Sequence, residues 1–110
     1  MGGSDLFTGT LDILALRAVS AGSLHGYGIG RHLRDTSSGV LDVEEGALYP
    51  ALHRLEGQGL LKSTWGRSET GRRAKFYRIT PEGRRHLARS TERWRQFSGA
   101  VDQVLGETGG

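Results

Sequence analysis

Apolar positions recur along the chain with two different periods, and the changes of period mark out its elements. In TGTLDILALRAVS, residues 8–20, Leu11, Ile13, Leu14, Leu16 and Val19 cover most sides of a helix, which predicts one buried on more than one face. Ala21-Gly22-Ser23 ends it. A second, shorter helix is expected over His25–Thr36, with Tyr27, Ile29 and Leu33 as its apolar positions and Ser37-Ser38-Gly39 as its stop. Val40–Val43 reads as a brief extended piece. Leu48, Leu52 and Leu55 then fall at i, i+4 and i+7, predicting a third helix that opens at Glu44 or Glu45, whose carboxylates suit a helix N-terminus, and runs to Glu56. Tyr49 and Pro50 interrupt its stripe. Pro50 sits just beyond the first turn, where its missing donor costs about one hydrogen bond, so it shapes the start of the helix and does not break it.

The period then drops to two. Leu60–Trp65 and Ala74–Thr80 read as strands flanking a polar turn, with Lys75, Tyr77 and Ile79 on one face of the second strand and Phe76 and Arg78 on the other. Thr80-Pro81-Glu82 supplies an N-cap, a proline at the first helical position and an acid in the first turn, predicting a long helix from Pro81 to about Leu105. Along it Leu87, Ser90, Trp94, Phe97, Val101 and Val104 are spaced alternately by three and four, the a/d seam of a coiled coil. Docking on its own domain would satisfy one end. The rest predicts a homodimer, with Leu87, Trp94, Phe97, Val101 and Val104 in the interface. The glycine-rich ends, Met1–Ser4 and Glu107–Gly110, are expected to fray.

Composition narrows the functions this scaffold serves. The 110 residues contain no cysteine, which removes disulfides, thiolate metal sites and cysteine nucleophiles. His25, His32, His53 and His86 are scattered, no serine lies in a nucleophile elbow, and neither catalysis, a cofactor nor a metal is expected. Gly26-Tyr27-Gly28-Ile29-Gly30 matches neither dinucleotide nor P-loop patterns, so close helix packing explains it better. No apolar run is long enough to span a membrane. Met1-Gly2-Gly3-Ser4 lacks the regions of a signal peptide, and Leu6 fails the myristoylation pattern, so a soluble cytoplasmic protein is expected. Charge is unevenly placed: residues 60–95 hold eleven basic side chains against three acidic, net +8, whereas residues 1–59 carry four basic against seven acidic, net −3. Such a split suits either a local surface for a polyanion or a solvated helix and hairpin.

The order helix, helix, short strand, helix, strand, basic turn, strand is that of a winged helix-turn-helix, a mainly α fold with a small β-hairpin wing (α+β). With Leu48, Leu52 and Leu55 turned inward, the residues left for double-stranded DNA are Ala47, Tyr49, Pro50, His53 and Arg54 of the third helix, Tyr27 of the second, and Arg72, Arg73 and Lys75 of the wing. Tyr49 has two readings, a contact to DNA or a ring packed against the wing. A protein-binding winged helix without DNA is the rival reading of the whole.

Three stretches carry a family resemblance: LHGYGI at 24–29, VEEGALYPALHRLE at 43–56 and RRAKFYRITPEGR at 72–84. Over roughly residues 6–105 the chain resembles the PadR family of transcriptional regulators in its short form. The resemblance implies a DNA-binding domain over residues 6–80 and a dimerisation helix over 81–106, acting as a homodimeric repressor on an inverted-repeat operator, released by a small aromatic effector or another signal. Ala47 stands where the family commonly has Ser or Thr, which removes one hydroxyl from the expected contacts. The resemblance also places Trp94 where multidrug-responsive members stack a ligand at the dimer centre; the a/d seam claims the same residue.

Overall fold

The computed structural model describes residues 3–106, with side chains from residue 9 onward. Of the ends expected to fray, Met1, Gly2 and residues 107–110 lie outside the described residues, while Gly3 and Ser4 belong to the first helix. The elements run α1 (Gly3–Ala18), β1 (Leu24–His25), α2 (Gly26–Thr36), α3 (Glu45–Gly57), β2 (Leu61–Arg67), β3 (Arg73–Ile79) and α4 (Pro81–Leu105). The three strands form one antiparallel sheet in the order β1-β3-β2.

Two expectations are corrected here. Residues 40–43 form no strand; the short strand is Leu24–His25, which pairs with Tyr77 and Phe76 along the edge of β3 that β2 leaves open. Residues 40–43 instead link α2 to α3, with Val40 exposed and only Leu41 and Val43 turned partly inward. The first helix also begins before Thr8 and ends two residues short of Ser20, where the Ser20 amide and hydroxyl both donate to the Arg17 carbonyl and close the turn.

The core is the sum of the predicted stripes. Leu11, Ala15, Leu16 and Val19 of α1, Ile29 and Leu33 of α2, and Leu48, Ala51, Leu52 and Leu55 of α3 meet Leu61, Tyr77 and Ile79 of the sheet. Tyr77 and Ile79 lie on one face of β3, as the period of two requires. In α3, the Pro50 ring removes the amide that would bond the Gly46 carbonyl; Gly46 is exposed, so that carbonyl remains open to water.

Helix α4 is docked at one end only. Thr80 caps it by accepting from the Gly83 amide at 2.9 Å, while its own hydroxyl donates to the Gly59 carbonyl and its amide to the Leu60 carbonyl. Gly83 lies so close to that strand that a Cβ there would stand 2.2 Å from the Leu60 carbonyl oxygen. Leu87 and Ser90 follow on the same side and are buried within the protomer. Beyond them Trp94, Phe97, Val101 and Val104 are exposed on a helix of 25 residues, about 37 Å long at 1.5 Å per residue. The open part of the seam therefore begins at Trp94, and Leu87 belongs to the domain's own core.

Candidate nucleic-acid interface

The starts of α2 and α3 are held together by a tyrosine lying on a glycine. His25 caps α2: its Nδ1 accepts from the Gly28 amide at 3.0 Å, and its ring stacks on Phe76 of β3 with centroids 5.1 Å apart. Gly26, the first residue of α2, is the bed for Tyr49 of α3, since a Cβ at that position would stand 2.5 Å from Tyr49 Cε1. The ring is still 42% exposed. Partial burial, reinforced by the Glu45 carboxylate one turn earlier, pushes the phenol pKa up, so its hydroxyl is a proton donor throughout the neutral range.

Opposite these helix starts stands the wing. Between them lies a groove of about 950 Å³ walled by His25, Gly26, Tyr27, Arg31 and Tyr49 on the helical side and by Trp65, Ser68–Thr70 and Arg72–Lys75 on the wing side. It brings together five of the residues expected to face DNA: Tyr27, Tyr49, Arg72, Arg73 and Lys75. Pro50 and His53 are exposed elsewhere on α3, and Ala47 packs partly against the core. Two residues of the site were not foreseen, Trp65 and Arg31; each stands alone among polar neighbours in the sequence, with no periodic signal to single it out.

The cations near this face are not equivalent. Arg54 donates to Asp12 at 2.6 Å and ties α3 to α1. Arg67 donates to the Gly71 carbonyl inside the wing turn. Lys75 lies 3.2 Å from Glu56, whose other oxygen accepts from Ser63 at 2.6 Å, so one carboxylate of α3 fastens both wing strands. Arg31 has only an exposed partner, Asp35, at 3.8 Å, a pair of little energetic weight. Arg72 has no partner among the described residues, and Arg73 rests on the Trp65 ring, its guanidinium carbon 4.4 Å from the centroid.

The bond from Ser63, followed by Lys75, holds the Glu56 carboxyl below its ordinary value of 4.5. A lowered folded-state pKa contributes stability that is present above the unfolded value and lost as pH falls through the folded one. Glu56→Gln should therefore lose less stability than the wild type between about pH 6 and about pH 3, read as the shift in urea midpoint. Equal losses in the two proteins would show that these ties do not couple to protonation.

A helix-turn-helix whose third helix and basic hairpin converge on one groove defines the winged-helix class of DNA-binding proteins. The chain belongs to the Transcriptional regulator PadR-like family, whose pattern matches residues 15–89. It is similar to a transcriptional regulator from Clostridium thermocellum, with 32% identity and a TM-score of 0.80 over 94% of this chain and 97% of that one. A PadR family transcription regulator from Clostridium difficile is likewise 32% identical, with a TM-score of 0.73 over 86% of this chain and 97% of the other. A transcriptional regulator of Mycobacterium tuberculosis shares 47% identity over 64 residues, 58% of this chain and 56% of that protein. The protein is thus a DNA-binding transcriptional regulator and not an enzyme. No helix among the described residues is long and apolar enough to cross a membrane.

Proposed function

We propose that the protein is a homodimeric repressor, each protomer of which lays α3 and its wing on one half of an inverted-repeat operator. The convergence of Tyr49, Tyr27, Arg72 and Arg73 on a single groove beside α3 carries this reading. Residues 6–80 would bind DNA and residues 81–106 would join the protomers, the strip Trp94, Phe97, Val101 and Val104 being apolar, exposed and continuous along one side of α4. Trp94 is read as part of that strip because Phe97 stands against it at 6.0 Å. Two-fold symmetry in the protein requires two-fold symmetry in the DNA, so a dimer of this kind selects a palindrome. Occupying such a site in a promoter excludes polymerase from it, and the work is done in the cytoplasm, where the DNA lies.

Selection of bound duplexes from a random pool tests the reading, and a sequence with two inverted half-sites is the expected outcome. Recovered sequences without symmetry would refute the proposed assembly. Against the selected operator, Tyr49→Ala should weaken binding by about 1 to 3 kcal/mol, the size of one specific contact, with melting temperature little changed because the ring is partly exposed. Undiminished affinity would remove Tyr49 from the interface and leave it as a brace on Gly26.

A further inference from the structure

We propose that Trp65 is a positioning residue for DNA binding: it carries Arg73 in place as a ready-made donor to a backbone phosphate, an assignment that rests on the operator-binding reading above. Trp65 is 59% exposed on β2, an unfavourable place for a large apolar ring that packs no core. Its neighbours show what the ring does. Arg73 covers the indole face at 4.4 Å, and a guanidinium held by its face keeps its N–H groups free, because those point outward in its own plane. Stacking and bidentate binding of a phosphate are thus compatible, whereas a carboxylate partner would occupy the same N–H edges.

The surrounding charges leave Arg73 available. Glu69 is the one acid between Gly57 and Pro81, and its carboxylate lies 3.6 Å from His25 Nε2. Lys75 and Arg67 have partners already. The groove that Arg73 borders also holds Arg31 on its opposite wall and Arg72 beside it, so the field there favours an anion. A DNA phosphate is the anion that fits, since the same groove is bordered by the α3 side chain Tyr49. A side chain held in its binding geometry before contact also loses less rotamer freedom on binding than a free arginine.

The test compares operator affinity over a range of salt for the wild type, Trp65→Ala, Trp65→Phe, Arg73→Met and the double variant Trp65→Ala/Arg73→Met. Arg73→Met should flatten the slope of log K against log salt by about 0.9, the loss of one phosphate contact. Trp65→Ala should reproduce most of that flattening and weaken binding about 2- to 5-fold, the range of an exposed cation–π contact. Trp65→Phe, which restores a ring face, should recover the slope, and the double variant should bind no worse than Arg73→Met. An unchanged slope in Trp65→Ala, with or without a lower melting temperature, overturns the proposal, and so do losses that add in the double variant. A wild type that fails to prefer the operator over scrambled DNA overturns the operator reading as well, whereas wild-type preference with an unaltered Trp65→Ala slope overturns this assignment alone.

Discussion

Gly83→Ala is expected to destabilise the protein by about 3 kcal/mol, the upper part of the usual range for forcing extra volume into a packed site. Alanine is the better helix former, so local propensity predicts a small gain. The packing decides against it: the added methyl would stand 2.2 Å from the Leu60 carbonyl oxygen and 2.8 Å from Ile79 Cγ1, and the first of these is backbone. That carbonyl is also the acceptor for the Thr80 amide, so moving it disturbs the cap of α4 and the end of the sheet together. For a chain of this size the loss corresponds to a fall of about 10 to 20 °C in melting temperature. A variant melting within about 3 °C of the wild type would show that α4 can shift away from β2 at little cost.

The second large effect is expected at the far end of the same helix. Phe97→Arg should convert the dimer to a monomer at concentrations where the wild type remains dimeric. A central aromatic truncated from an interface commonly costs about 2 kcal/mol, and an isologous contact loses it twice, so dimerisation should weaken about 1000-fold. Phe97 is 41% exposed in the protomer and makes its ring contact with Trp94, so the fold itself should tolerate the change. Sedimentation reads the mass, and operator binding should fall with it because each protomer would then hold a half-site alone. A Phe97→Arg variant that sediments as the wild type does would place the interface elsewhere.

How much of this was legible in the sequence depended on how far apart the interacting residues lie. The leucine stripe of α3, the alternation of β3 and the Thr80-Pro81-Glu82 cap are local patterns, and each became the expected element with ends displaced by one or two residues. Strand β1 was missed because two residues cannot show a period, and what makes Leu24–His25 a strand is the free edge of β3, far along the chain. The same holds for the site. Arg54 and Lys75 look alike in sequence to Arg72 and Arg73, but Asp12 and Glu56 reach the first two and leave the others open. The contact of Tyr49 with Gly26 was invisible for the same reason, although a glycine packed closely at the start of α2 was anticipated. A heptad spacing, finally, does not say whose surface covers it. Leu87 and Ser90 are covered by their own domain, and the four positions after them are not.

The two residues of β1 have a consequence for how DNA is read. Leu24–His25 is at once a strand of the wing's sheet and the cap of α2, while Tyr49 on Gly26 fixes α3 to that same point. The wing and α3 therefore behave like the jaws of a caliper locked at one opening. A duplex entering it must bend or narrow to match the gap, and the sequences held most tightly will include those whose deformation costs least, at base pairs no side chain touches.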